Sequence, residues 1–377
     1  MKEHEIPTPA YVCEERLLRK NLKTLAKVKE KSGAKVLVAL KGFAFTGAMD
    51  IVSEYLDGAA CSGLWEAELA KKYVKGEVHT YSPAFKDSDF TRIAQISNHV
   101  VFNSPAQWHK FKSVADKHGL FCGLRLNPQT SRSPVDTYNP CAPFSRLGTT
   151  AENLKPSDLE GLSGLHFHAL CEESAESLEY VLNGFTDKFG EYFSRMKWIN
   201  FGGGHHITRA GYNVDLLIRL VSDFSQKYGV QVYLEPGEAV GWQTGYLVSS
   251  VLDIVENGEK TAILDISAEA HMPDTLLMPY RPAVRGESKN GAYAYRFGGN
   301  TCLAGDVVGL EAGEPVYKFD TPLAVGDRVI FEDQIHYTIV KNTTFNGIML
   351  PDLILLKENG EAKYCRKFDF SAYELRN

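Results

Sequence analysis

Lys41 stands at the end of the apolar run Ala34-Lys35-Val36-Leu37-Val38-Ala39-Leu40 and is followed at once by Gly42. An ammonium at the end of a buried strand is costly to desolvate. Desolvation lowers a lysine pKa and leaves a free amine able to condense with an aldehyde carbonyl. The alternative is a lysine whose stem follows the strand end and whose ammonium reaches water. Gly202-Gly203-Gly204 follows another apolar run, 198–201. Three residues without side chains let backbone N–H groups converge on an anion such as phosphate, or make only a flexible turn. Glu235, in Leu234-Glu235-Pro236-Gly237-Glu238, is a carboxylate after a third such run. It could hold the N–H of a protonated pyridine-type ring, or be a solvated loop residue.

His166 and His168 share one strand face by the period of two. Such a pair could bind a metal, although no nearby third ligand is convincing and Cys171 is poorly spaced for zinc. Otherwise one imidazole could stack on a flat cofactor ring, or both could be core histidines. His205 and His206 are read as serving only the loop they occupy. Cys302, in Phe297-Gly298-Gly299-Asn300-Thr301-Cys302-Leu303-Ala304-Gly305-Asp306, is a Gly-flanked thiol that could deliver a proton or be inert packing.

The elements that must position these groups follow from periodicity. After a helical period over 14–31, eight short apolar runs recur at 35–40, 56–60, 77–81, 99–102, 121–126, 162–167, 198–201 and 231–234. Helical segments at 64–74, 105–118, 172–189 and 213–228 separate most of them. This is the pattern of a (β/α)8 TIM barrel, with a doubly wound open sheet as the alternative. In such a barrel, loops at the C-terminal ends of strands carry function, and those after strands seven and eight commonly take phosphate. Lys41, the triple glycine and Glu235 all fall there. The Pro- and Ser-rich stretch 127–157 reads as a long loop. Beyond 241 the texture changes to runs at 246–255, 261–266, 292–297, 315–319, 328–332 and 338–340, a mainly antiparallel β domain. The expected division is 14–240 for the barrel and 241–377 for the β domain, which 1–13 could join.

Composition narrows the partners. The chain has 377 residues, 44% hydrophobic, with a formal net charge of −6. No basic patch suggests nucleic acid. No run approaches the ~20 apolar residues of a membrane span, and the N-terminus lacks an apolar leader, so a soluble cytoplasmic protein is expected. Seven scattered cysteines without a Cys-x-x-Cys pair suggest neither a disulfide framework nor structural zinc.

Taken in order, Thr8-Pro9, Lys41, the segment 58–66, Leu124-Arg125-Leu126-Asn127-Pro128, Ser145-Arg146-Leu147-Gly148, His166-Phe167-His168, Gly202-Gly203-Gly204, Glu235-Pro236-Gly237, Cys302 and Phe345-Asn346-Gly347 form a series. That series resembles the alanine-racemase-like, fold-type III family of pyridoxal-phosphate decarboxylases, over nearly the whole chain. The family handles ornithine, arginine, diaminopimelate and carboxylated polyamines. The resemblance implies a pyridoxal 5'-phosphate cofactor carried on Lys41 as a Schiff base, with His168 stacked on its ring and Glu235 on the pyridine nitrogen. It further implies that Gly204, Gly237 and Tyr337 hold the phosphate and that Gly203 belongs to the cofactor site. Cys302 becomes the acid that protonates the carbanion, in an active site shared between the subunits of a homodimer.

The departures from the family pattern bear on substrate. Ala169-Leu170-Cys171-Glu172 replaces a small residue followed by Gly-Ser, which removes a serine contact to phosphate. Glu238 stands where the family has arginine, and Leu303 where it has an acid. Glu238 and Asp274, in Ala270-His271-Met272-Pro273-Asp274, could offer two negative groups to a long polycation. These features, with 133–148, most resemble the carboxynorspermidine/carboxyspermidine decarboxylase subgroup, which implies formation of norspermidine or spermidine. The alternatives are a decarboxylase of a shorter basic amino acid (diaminopimelate, ornithine or arginine) and a non-catalytic pyridoxal-phosphate-binding decoy.

Overall fold

The computed structural model describes residues 1–133 and 135–377; Pro134, within the stretch 133–148, lies outside the described residues. The chain divides into two compact units. Strand β1 (Ala10–Glu14) belongs to the unit formed by 1–19, 43–48 and 241–377, and the other unit comprises 20–42 and 49–240.

In the second unit, β2 (Lys35–Ala39), β3 (Gly58–Cys61), β4 (Glu77–Tyr81), β5 (His99–Phe102), β6 (Phe121–Arg125), β7 (Gly164–His166), β8 (Trp198–Asn200) and β9 (Gln231–Leu234) form a closed barrel. Every ladder is parallel, and β9 returns to β2 by pairing Lys35 with Tyr233 and Val36 with Leu234. Parallel strands covered on both faces read as continuous apolar runs, which is why these eight were visible in sequence. The open-sheet alternative is excluded by this closure.

The barrel interior is filled by Leu37, Ala60, Val101, Trp198 and Tyr233. A Cβ at Gly123 or Gly164 would overlap the Trp198 indole, so these two strand glycines make room for it. Outside, Phe167 and Phe201 at the ends of β7 and β8 meet Phe185 and Phe224 of the helices Ala175–Phe193 and Val214–Tyr228. Ser174 and Asn213 cap those helices by accepting from Ser177 N and Leu216 N. Between β6 and β7 the described residues form short 3-10 turns at Asp136–Tyr138, Ala151–Asn153 and Pro156–Leu159, and Leu126 bridges to Thr149.

The other unit adds β10 (Gly245–Asn257), β11 (Glu259–Leu264), β12 (Tyr293–Gly298), β13 (Val316–Phe319), β14 (Arg328–Glu332), β15 (Asp352–Leu356) and β16 (Ala362–Arg366). The sheet order is β13-β12-β11-β10-β1-β15-β16, with β14 also on β10. Most pairs are antiparallel; β1 with β15 and β11 with β12 are parallel. One expected strand is corrected: 338–340 lies in the short helix Thr338–Lys341. Its β-branched residues suit a strand, but strand preference is realised only against a neighbouring strand. Here Tyr337, at φ +48°, turns the chain instead, and Thr338 Oγ1 donates to Gln334 Oε1 at 3.2 Å. Among the described residues no helix is long and apolar enough to cross a membrane.

Candidate active site

The barrel unit gathers Lys41, His168, Gly202–Gly204 and Glu235–Glu238 at the C-terminal ends of its strands. β2 is extended past its last residue pair by Ala39 N–H, which donates to Pro236 O at 3.0 Å. The two loops then touch: a Cβ on Gly42 would lie 3.1 Å from Gly237 Cα and 3.0 Å from Glu238 N. Glycine at 42 therefore lets the Lys41 turn lie directly on the 235–238 turn. Leu40 is buried but Lys41 itself is exposed. Of the two readings of this lysine, within the chain the structure has the side chain reaching solvent between buried Leu40 and buried Gly42 and Phe43.

His168 is half-buried, and its Nδ1 accepts the Gly203 N–H at 2.9 Å. Its backbone carbonyl accepts from Arg125 Nη2 at 3.2 Å. Burial, followed by the charge of Lys41, holds the imidazole pKa well below its ordinary value. The ring is neutral, with Nδ1 as acceptor and the proton on Nε2, a state suited to stacking on a flat ring.

Glu235 has only 14% of its side chain exposed. Oε1 accepts from Asn200 Nδ2 at 2.7 Å, and Oε2 lies 3.5 Å from His166 Nε2. Burial pushes the carboxyl pKa up, but the interactions with His166 and Asn200 outweigh it and hold the group below its usual value. A poised carboxylate results. Asn200, fully buried at the end of β8, also accepts the Gly202 N–H at 2.8 Å, so one side chain ties the carboxylate to the glycine loop. Asn200 is a support that sequence reasoning missed, and His166, singled out there with His168, was not read as a partner of Glu235. The available signal at Asn200 was a polar residue closing an otherwise apolar strand.

The triple glycine is pressed against its surroundings. Cβ atoms at Gly202, Gly203 and Gly204 would meet the carbonyl oxygens of Phe167, Glu235 and Leu170, and Gly202 and Gly204 have φ of +69° and +82°. The Gly203 N–H is engaged by His168, so this glycine serves the cradle by its missing side chain. Glu238 has 15% of its side chain exposed, and His206 Nε2 lies 4.0 Å from its Oε1. Thr208 Oγ1 donates to Ala239 O at 2.7 Å. The loop bearing His206 therefore reaches the neighbouring Glu238 turn, correcting the reading that it serves only itself.

His166 and His168 do not share a metal geometry: one faces Glu235, the other Gly203. Among the described residues the cluster with metal-ligand side chains is Glu77, His79 and His99, at the opposite ends of β4 and β5. There the Lys35 ammonium holds one Glu77 oxygen, while Tyr233 Oη and His79 Nε2 contact the other at 3.1 and 2.9 Å.

The β unit carries the remaining residues. Cys302 is exposed, and its N–H donates to Asn346 Oδ1 at 3.0 Å. Its loop is built on buried Asp306, which accepts from Ala268 N at 2.7 Å and Thr301 Oγ1 at 2.6 Å. Asp274 is paired with Lys341, whose Nζ lies 2.7 and 2.9 Å from its two oxygens. The Lys341 Nζ is also 5.1 Å from the Tyr337 ring centroid. Sequence reasoning missed Lys341.

The family model described as "Pyridoxal-dependent decarboxylase, C-terminal sheet domain" matches residues 10–334. The chain belongs to the pyridoxal-dependent decarboxylases. Among decarboxylases of known name, the carboxynorspermidine/carboxyspermidine decarboxylase of Campylobacter jejuni is 57% identical, over 99% of each chain. The carboxyaminopropylagmatine decarboxylase of Synechocystis is 42% identical over 98% of this chain and 95% of its own. The crystal structure of carboxynorspermidine decarboxylase from C. jejuni, complexed with norspermidine, superposes with a TM-score of 0.92 at 55% identity, covering 99% of this chain and 100% of that one. A diaminopimelate decarboxylase of Helicobacter pylori shares the fold alone, with a TM-score of 0.83 at 14% identity, over 99% of this chain and 98% of that one.

Pyridoxal 5'-phosphate, the cofactor of these decarboxylases, fits the residues described. Lys41 presents an amine, Glu235 an ionised carboxylate and His168 a neutral ring. Gly204 and Gly237, where a Cβ would press on the backbone of Leu170 and of Ala39, let the strand-end turns pack closely around these groups.

Proposed function

We propose that this decarboxylase removes the carboxylate of carboxynorspermidine and of carboxyspermidine, forming norspermidine and spermidine in polyamine biosynthesis. The observation that carries the reading is Glu238, a second, largely buried carboxylate three residues beyond Glu235 at the same strand end. A polyamine brings ammonium groups that need such anions. The full-length similarity to the C. jejuni enzyme supports the same reading.

When bound, the cofactor supplies the electron sink for the pair left behind as carbon dioxide departs. Lys41 would hold its aldehyde carbon, Glu235 its ring nitrogen, His168, fixed by the Gly203 N–H, its ring face, and Gly204, Gly237 and Tyr337 its phosphate end. Glu238 and Asp274 bind the secondary and terminal ammonium groups by charge-assisted hydrogen bonds of roughly 1.5–3 kcal/mol each. The Cys302 thiol gives its proton to the carbon that has lost the carboxylate, and the thiolate recovers a proton from water. The active form is a cytoplasmic homodimer in which each site takes residues from both copies.

The test is carbon dioxide release, with and without added cofactor, from carboxynorspermidine, carboxyspermidine, carboxyaminopropylagmatine, ornithine, arginine and diaminopimelate. Release confined to the first two is expected. Release chiefly from the agmatine derivative or a short amino acid would overturn the substrate assignment, and silence on all six would leave a non-catalytic cofactor-binding decoy.

A further inference from the structure

Asp274 is a poor candidate for an open anion site, because its carboxylate is already filled. One ammonium, Lys341 Nζ, contacts both oxygens, at 2.7 and 2.9 Å. The Asp274 side chain is only 15% exposed, so leaving it bare would carry a substantial desolvation penalty. Lys341 differs: its side chain is 38% exposed and it is the last residue of the four-residue helix Thr338–Lys341. A lysine on a flexible four-carbon stem can swing into water and rehydrate its charge. The pair is thus a sheltered anion closed by a removable cation.

We propose that Lys341 is a resident counter-cation that the terminal ammonium of the polyamine displaces from Asp274. The inference rests on the reading that Asp274 receives that ammonium. The two cations are chemically alike, each a primary ammonium on an alkyl chain, so Asp274 exchanges one partner for another and is never left bare. Such exchange makes recognition competitive. A substrate whose distal ammonium reaches Asp274 evicts Lys341; a shorter amino acid leaves Lys341 in place and gains nothing from Asp274. Specificity comes from the competing state as much as from the contact itself. The same competition works on release, since Lys341 recaptures Asp274 as the product leaves.

The experiment measures KM and kcat for carboxynorspermidine and inhibition by norspermidine, in the holoenzyme and in Lys341→Met, Lys341→Arg and Asp274→Asn. Removing the competitor in Lys341→Met lowers KM and the norspermidine inhibition constant by about tenfold, roughly the worth of one charge-assisted hydrogen bond. Lys341→Arg, whose planar fork grips a carboxylate with two parallel bonds, raises both constants while cofactor absorbance and Tm stay unchanged. A KM that is unchanged or raised in Lys341→Met overturns the inference, and an accompanying loss of Tm assigns the pair a purely structural role. If Lys341→Met fails to fold, a KM for Lys341→Arg no higher than that of the parent enzyme overturns it equally. Asp274→Asn separates the two failures. If it raises KM while Lys341→Met does not lower it, only the exchange is wrong; if it leaves KM unchanged, Asp274 does not bind substrate at all.

Discussion

The Gly203 amide donates to His168 Nδ1 at 2.9 Å, so a backbone group of one strand-end loop selects the tautomer of an imidazole on another. Nδ1 cannot carry the proton while it accepts this bond, and Nε2 must. Burial and the nearby Lys41 charge then keep the second proton off. In 15N-labelled protein, His168 should report the Nε2–H tautomer at pH 8 and still at pH 6. An imidazolium signature at pH 6 would contradict this electrostatic account of the site.

Asn200 joins Glu235 to Gly202 through its two amide atoms. Asn200→Ala removes a donor to a buried carboxylate and an acceptor for the glycine loop at once. The cost of about 1.5–3 kcal/mol for a hydrogen bond to a charged group corresponds to a loss of cofactor affinity of about 10- to 100-fold. Fluorescence titration of the apoenzyme measures it, and an unchanged dissociation constant would remove Asn200 from the cofactor site.

Glu238→Gln keeps shape and removes charge. KM for carboxynorspermidine should rise by about tenfold or more, the loss of one charge-assisted contact, while the cofactor absorbance band stays in place. An unaltered KM would free Glu238 from any substrate role.

Acid should weaken the fold in a defined window. Burial depresses the His99 pKa to about 3 and the His205 pKa to about 4. As pH falls through ~6.5 the unfolded chain takes up protons on both, whereas the folded chain refuses them until near those lower values. Stability present above ~6.5 is therefore lost on acidification, at a limiting slope of about 1.4 kcal/mol per pH unit for each histidine. Glu77 acts in the same direction lower down. Burial pushes its pKa up, but His79 and Lys35 outweigh this and hold it at about 2, so its contribution is lost below ~4.5. Tm measured from pH 7.5 to 5 should fall, and more shallowly in His99→Gln; equal slopes would exclude His99 as a source.

If each site draws on both copies, inactive Lys41→Ala and Cys302→Ala chains should complement. Random pairing of equal amounts places one intact site in half of the dimers, which predicts recovery of about a quarter of the parental activity for a two-fold assembly. No recovery after subunit exchange would argue for sites built within a single chain.

What could be read in advance divides along physical lines. The barrel strands announced themselves because runs such as Val36-Leu37-Val38 are buried on both faces, and their observed ends fall within about two residues of the expected ones. Thr338-Ile339-Val340 misled because β-branched residues favour strands only where a neighbouring strand receives them. β15 and β16 passed unnoticed, their short runs set apart only by an ordinary turn. At the site, Lys41 and Glu235 were legible from their places at strand ends. Asn200 and Lys341 were not, since their partners lie 35 and 67 residues away and only the folded chain introduces them. Whether the Lys41 side chain would be buried or reach water stayed open in the sequence, because an apolar run does not fix the exposure of the residue that closes it.

The pairing of β1 with β10 and β15 has a consequence for synthesis. β1 is translated before every barrel strand, yet both of its neighbours, at 245–257 and 352–356, follow it by more than two hundred residues. All eight barrel strands, ending at Leu234, are made in the interval. The nascent chain must therefore carry an unpaired apolar strand, Ala10-Tyr11-Val12-Cys13, through most of its elongation, a template for pairing with other chains. Expression halted near residue 240 would leave that edge permanently open, so the truncated barrel is expected to aggregate until the missing strands are supplied in trans.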